Sequence, residues 1–84
     1  MEKSLKDIEY EELSEWLQSY LDKGETKCAI EMCERVARAG NRLGYLFMAF
    51  IYEEGHGEVS VDYEKAMQCY KQAEKMKGNE KEKK

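Results

Sequence analysis

Proline is absent from this 84-residue chain, whereas Glu, Lys, Leu, Ala and Met, which favour helices, are plentiful. Proline interrupts a helix interior more strongly than any other residue, so its absence leaves few positions that oppose helix formation. The composition therefore predicts an all-α fold. At this length only about 60% of the surface of the unfolded chain can be buried, so we expect one domain of modest stability.

Cysteine and long apolar runs are also scarce. The three cysteines, Cys28, Cys33 and Cys69, are an odd number, and the N-terminal sequence lacks the apolar stretch of a secretory signal. Both observations argue against a secreted disulfide scaffold, so a cytoplasmic location is expected. The longest uncharged run, residues 43–52, has ten residues. A membrane helix needs about 20, so no membrane association is expected.

The net charge of −4 is unevenly distributed. Residues 1–64 carry 15 acidic and 7 basic side chains, whereas residues 65–84 carry 3 acidic and 7 basic side chains. Nonspecific nucleic-acid binding needs a basic surface, and only the C-terminal part offers one. We interpret residues 78–84 as a charged flexible tail, so nucleic acid is not expected as a partner. The acidic stretch 7–15 is interpreted as the solvated face of a helix, with a basic partner as the alternative.

The first two predicted helices follow from apolar residues that recur every three or four positions. The first begins after Ser4, which forms a capping pair with Asp7, and ends near Gly24. The second follows Thr26 and ends near Gly40, where a left-handed glycine would stop it. Together they predict one helical hairpin over residues 4–40.

The third and fourth helices form a second hairpin. Residues 43–54 are apolar nearly all round, so this helix must be covered on more than one face. Asp62 is the predicted N-cap of the fourth helix. The second and fourth helices also share a pattern 37 residues apart, in which Ala29, Met32, Cys33 and Val36 correspond to Ala66, Cys69, Tyr70 and Ala73. Repetition at such a period is typical of stacked helical hairpins, so we predict an α-α superhelix of two hairpins within residues 1–77.

Two known families share these spacings. The motif of residues 42–78 resembles the Sel-one-like repeat through Met48, Ala49, Tyr52, Gly55, Gly57, Asp62, Lys65, Ala66, Cys69, Tyr70 and Ala73. Residues 4–40 are similar to the related tetratricopeptide repeat through Leu13, Trp16, Leu17, Tyr20, Gly24, Ala29, Cys33 and Val36. Both families are superhelical scaffolds for protein complexes. The resemblance therefore implies a protein-interaction module, although a fold does not fix a function.

The candidate binding residues come from the same comparison. In the scaffolds that the chain resembles, the first helix of each pair lines the concave side. The resemblance thus assigns seven partner-binding residues: Gln18, Leu21, Leu43, Leu46, Phe47, Phe50 and Glu53. Three interpretations of this strip remain open: a groove for a partner peptide or helix, an internal core covered by the first helix, or an interface between two copies. The chain could also be a fragment of a longer scaffold or a designed repeat, because three repeats are usually needed.

No catalytic, cofactor or metal site is predicted. His56 lies between two glycines and is interpreted as an exposed loop residue. Cys28 and Cys33 are five residues apart, which places them roughly 140° apart on a helix, whereas metal ligands need a spacing of three or four. Five aromatic residues are predicted to be core: Trp16, Tyr20, Tyr45, Tyr52 and Tyr70. We expect a non-catalytic adaptor, with a stoichiometric enzyme inhibitor of phage or mobile-element type as the alternative and a cysteine-based hydrolase as the rival from the enzyme class.

Overall fold

The computed structural model describes the backbone of residues 4–82 and the side chains of residues 4–77. The chain opens with a short 3-10 turn over Leu5–Asp7, and four α-helices follow: α1 (Tyr10–Asp22), α2 (Thr26–Arg38), α3 (Leu43–Glu54) and α4 (Tyr63–Glu82). Each helix packs against the next one in the sequence. The predicted all-α fold of two stacked antiparallel hairpins is thereby confirmed.

The predicted helix ends are also confirmed at three positions. Gly24 and Gly40 have φ angles of 77° and 102°, a region that side chains rarely adopt, and each follows the end of a helix. The Asp62 side chain accepts a hydrogen bond of 3.1 Å from the Lys65 backbone N–H and so caps the start of α4.

The start of the first helix was predicted wrongly. Ser4 does accept a hydrogen bond from the Lys6 backbone N–H, but it caps only the 3-10 turn. The chain is then extended at Ile8, and α1 begins two residues later with a capping box between Glu9 and Glu12. The extended backbone lets the Ile8 side chain reach the core, where it is buried. Helical periodicity could not show this interruption, because Leu5 and Ile8 also fit a helix.

The core between the helices is built largely from small side chains, which lets the helices approach closely. Its fully or nearly fully buried members include Leu13, Leu17, Ala29, Cys33, Val36, Met48, Ala49, Ile51, Ala66 and Ala73. The closest approach joins α2 to α3 at Gly44. A Cβ atom there would overlap the Cys33 carbonyl oxygen and lie 2.5 Å from the Ala37 backbone nitrogen. Glycine is therefore required for this packing distance.

The aromatic residues depart from the predicted core. Trp16 and Tyr70 are exposed, and Tyr20, Tyr45 and Tyr52 are half-buried. The two exposed residues correct the prediction, since the repeat pattern assigned all five to packing positions. The reason is that only residues of α1 and α2 and their connection surround Trp16, and that Tyr70 borders an open depression beside α3, so no further helix within residues 4–77 covers either side chain.

The connection from α3 to α4 is longer than that from α1 to α2. It spans residues 55–62 and is held by two hydrogen bonds between His56 and Val59, of 2.9 and 2.8 Å. The backbone of α4 is helical to Glu82, so the first five residues of the predicted tail 78–84 are helical, while residues 83–84 lie outside the described part. No helix among the described residues is long and apolar enough to cross a membrane.

Candidate functional site

The predicted apolar strip lies along one side of α3, between α1 and the Tyr70 side chain of α4. It forms the floor of two adjoining depressions, of about 220 and 150 Å³, which share Tyr10, Phe47 and Phe50. We call this surface the inner groove. The larger depression is lined by Tyr10, Leu43, Leu46, Phe47, Phe50 and Tyr70. The smaller one is lined by Tyr10, Ser14, Leu17, Gln18, Leu21, Phe47, Phe50, Ile51, Glu54 and His56.

Six of the seven predicted partner-binding residues therefore line one surface, and the seventh borders it: Gln18, Leu21, Leu43, Leu46, Phe47 and Phe50, with Glu53 at the edge. The helical repeat explains the division of α3 into two sides. Met48 and Ala49 face the core and are buried, while Ile51, which is also buried, lies between the core and the smaller depression. On the opposite side Phe50 is 50% exposed, which is unusual for phenylalanine and marks the groove as an open apolar surface.

Tyr10 is a groove residue that the sequence did not reveal. Its ring lies 5.1 Å from the ring of Phe47, centroid to centroid, at an interplanar angle of 37°. Such tilted pairs are favourable beyond the area they bury. Tyr10 is the first residue of α1, and its position follows from the interruption of the predicted first helix. The signal in the sequence was the capping box of Glu9 and Glu12, which begins α1 at Tyr10. This start places the Tyr10 ring in the groove.

The rim of the inner groove is acidic. No lysine or arginine is among the residues that line it, whereas Glu54 is. Gln18 donates a hydrogen bond of 2.8 Å to Asp22 one helical turn further along α1. A cationic partner would therefore meet favourable charge around an apolar floor.

Glu53 fixes the edge of the groove nearest to α4. Its carboxylate accepts a hydrogen bond of 2.8 Å from the Tyr70 hydroxyl. This bond is the main reason that the pKa of Tyr70 is raised, with burial and the charges of Glu53 and Glu54 as smaller causes. Glu53 is thus a positioning residue for Tyr70 rather than a free carboxylate.

The three cysteines are free thiols that differ in exposure. Burial, followed by the charges of Cys69 and Glu34, raises the pKa of Cys33 to about 12. Burial also raises the pKa of Cys69. A nucleophilic cysteine needs the opposite shift, because the thiolate is the reactive form. Cys28 is exposed.

His56 has a carboxylate neighbour in Glu54. Its Nε2 atom lies 3.3 Å from a Glu54 carboxylate oxygen. Within the described residues no group of three or more His, Cys, Asp or Glu side chains is placed to hold a metal ion.

The chain matches no protein-family model, no curated protein and no solved structure at the significance required of such comparisons.

Proposed function

We propose that this chain is a non-catalytic protein-interaction module of the cytoplasm, related to the tetratricopeptide and Sel-one-like repeats, and that its inner groove binds an amphipathic helix of another protein. The observation that carries the proposal is the open apolar floor of α3, with Phe50 half-exposed between α1 and Tyr70. A surface of this kind is stabilised by covering it with an apolar partner.

The dimensions of the groove favour a helix as the occupant. Its apolar floor extends from Leu43 to Phe50, seven residues along α3, which is about 10 Å at 1.5 Å per residue. A partner helix presents apolar anchors at positions i, i+3, i+4 and i+7 over the same length. The Tyr10 and Tyr70 rings stand on either side of this floor and would provide aromatic contacts, which commonly dominate the energy of such interfaces.

Charge decides which kind of helix binds best. The groove is lined mainly by apolar residues, and its smaller depression also holds Ser14, Gln18, Glu54 and His56. Glu53 and Asp22 lie at its edge. Like charges at an interface lower affinity, and opposite charges raise the association rate. The partner helix should therefore carry lysine or arginine beside its apolar face.

A pair of designed peptides tests this proposal. Both form amphipathic helices with the same apolar face, and one carries lysine where the other carries glutamate. Fluorescence anisotropy should show that the basic peptide binds more tightly than the acidic one, and that its affinity falls with added salt. A Phe50→Glu chain should lose at least about tenfold in affinity for the basic peptide, equivalent to about 1.4 kcal/mol.

The matched control is Gln72→Glu, which introduces the same charge on α4 at an exposed position away from the groove. This variant should bind like the natural chain. Equal binding of the two peptides would overturn the charge argument. Unchanged binding by a folded Phe50→Glu chain would show that the inner groove is not the binding surface.

A further inference from the structure

The helices of the two hairpins can be aligned in sequence from their first or last residues. Helices α2 and α4 begin 37 residues apart, at Thr26 and Tyr63. In this register the positions that face the hairpin partner are buried in both helices: Ala29 with Ala66, and Val36 with Ala73. The register therefore identifies which positions of α4 correspond to those through which α2 contacts the following hairpin.

Those junction positions are buried in α2 and open in α4. Gly44 of α3 packs on Cys33 and Ala37, and Gly57 of the next loop lies against Thr26. In α2 the exposed fraction is 1% for Thr26, 9% for Ile30 and 0% for Cys33. The corresponding residues of α4 are much more exposed, with 70% for Tyr63, 57% for Met67 and 37% for Tyr70. Tyr63 and Met67 share a side of α4 with Tyr70, because they are seven and three residues before it. Tyr70 in turn lines the larger depression with Leu46 and Phe50, and we call these five residues the C-terminal face.

Helix α1 carries the surface that corresponds to the side of α3 packed against α2. Helices α1 and α3 end 32 residues apart, at Asp22 and Glu54, because the second loop is longer. In this register Trp16, which is 43% exposed, corresponds to Met48, which is 5% exposed and packs in the core. Around Trp16 lies a shallow surface of two adjoining depressions, which we call the N-terminal face: Trp16, Ser19, Tyr20, Cys28 and Met32.

Each end of the chain thus carries one half of the junction that joins the two hairpins internally. The two faces contain five of the seven large exposed hydrophobic residues of the described chain: Trp16, Phe50, Tyr63, Met67 and Tyr70. The charged residues that line the N-terminal face balance, since Glu15 and Glu31 are acidic and Lys23 and Arg35 are basic. Glu53 borders the C-terminal face through its bond to Tyr70, and Glu74 follows Tyr70 by one helical turn.

We propose that copies of this chain stack head to tail, with the C-terminal face of one copy on the N-terminal face of the next. The internal junction between α2 and α3 is the template for this contact. Because the two faces are different surfaces, the association is heterologous and does not close into a two-fold dimer, so it continues from copy to copy. The C-terminal face shares Leu46, Phe50 and Tyr70 with the inner groove, so a stacked copy and a partner helix would compete for this surface. Stacking goes beyond the proposed partner function and does not rest on it.

The contact between copies must be wider than the internal junction. Tyr70 stands where α2 has Cys33, and Glu12 stands where α3 has Gly44, so the helices cannot approach as closely. Fewer contacts form at a larger distance, because dispersion attraction falls steeply with separation. Stacking between copies should therefore be weaker than the packing of the two hairpins within one chain, and dependent on protein concentration.

A complementation experiment tests the proposal by sedimentation equilibrium. One variant blocks the N-terminal face, Trp16→Glu, and the other blocks the C-terminal face, Tyr63→Glu with Met67→Glu. The natural chain should increase in average mass with concentration, without a fixed stoichiometry. At the same concentration each variant alone should have the average mass of a monomer. Mixed, they should form a one-to-one complex, because each retains the face that the other lacks.

The Gln72→Glu chain serves as the control and should associate like the natural one. If Trp16→Glu fails to fold, attachment of a bulky maleimide to the exposed Cys28 blocks the N-terminal face instead. A natural chain that is monomeric at about 1 mM, or variants that do not complement each other, would overturn the proposal. Dimerisation of the Trp16→Glu chain alone would show two-fold pairing through the C-terminal face instead. The Trp16→Glu chain keeps every residue of the inner groove, so its binding of the basic peptide tests the groove independently of stacking.

Discussion

The Tyr70 hydroxyl donates a hydrogen bond of 2.8 Å to the Glu53 carboxylate and so links α4 to the exposed end of α3. This bond raises the pKa of Tyr70 above its ordinary value of 10.0, and burial adds to the shift. The folded chain therefore keeps this proton to a higher pH than the unfolded chain does. The resulting stabilisation is complete below the unfolded pKa and is lost as the pH rises through the folded pKa.

A Tyr70→Phe chain should lack this pH dependence. Thermal unfolding between about pH 8 and pH 11 should show that the natural chain loses more stability with rising pH than the variant does. Tyr52, whose pKa is also raised, is present in both chains, so the difference between them reports Tyr70. Parallel pH profiles would mean that the hydrogen bond to Glu53 does not form in solution.

Replacing Gly44 should destabilise the fold although alanine favours helices. An added Cβ would overlap the Cys33 carbonyl oxygen, so α3 would have to move away from α2. Overpacking of this kind typically costs about 1–3 kcal/mol. Urea denaturation of Gly44→Ala should show that loss in the free energy of unfolding. A chain stabilised by the substitution, as helix propensity alone predicts, would contradict the close packing of α2 and α3.

Asn41 should contribute more to stability than a half-buried amide usually does. Its Nδ2 atom donates to the Leu5 carbonyl at 3.2 Å and to the Ile8 carbonyl at 2.8 Å, while Oδ1 accepts from the Leu43 N–H at 3.1 Å. An Asn41→Asp chain keeps the acceptor and loses both donated bonds. Its unfolding free energy should fall by about 1–3 kcal/mol. Ser4→Ala, which removes one exposed bond, should change it by less than about 0.5 kcal/mol.

The three thiols should react at well-separated rates. Cys28 is exposed, whereas Cys33 is buried with a pKa of about 12 and Cys69 is half-buried with a raised pKa. A thiol reagent at neutral pH should therefore modify Cys28 first and Cys33 only when the chain unfolds. Mass spectrometry of digested samples taken over time gives the order. Rapid modification of Cys33 in the folded chain would contradict its burial and would revive the cysteine-based hydrolase.

Local patterns in the sequence were sufficient to predict most helix ends. Gly24, Gly40 and Asp62 act through their own backbone or side chain, so their effect could be read without knowing the fold. The apolar side of α3 was predicted for a related reason, because the helical repeat separates Phe50 from Met48 whatever lies around them. The same reasoning failed at Ile8, where a tertiary contact with the core outweighs helical periodicity.

Exposure of Trp16 and Tyr70 could not be predicted from the repeat pattern. The pattern describes a position within a stack, where neighbours on both sides cover it. Within residues 4–77 there are two hairpins, and each of these positions has a packed neighbour on one side only, so the same residue type at the same position becomes exposed. The Tyr10 contact with Phe47 was missed for a different reason, since it depends on where α1 begins.

The packing of each helix on its successor also sets the expected order of folding. Contacts between neighbours in the sequence close only short loops, so the hairpins should form within milliseconds or faster. The bonds from Asn41 to Leu5 and Ile8 join residues 36 and 33 positions apart and should form late. In stopped-flow measurements Asn41→Asp should then speed unfolding and leave the refolding rate nearly unchanged. The N-terminal turn would thus set the lifetime of the folded state by slowing unfolding, with little influence on the folding rate.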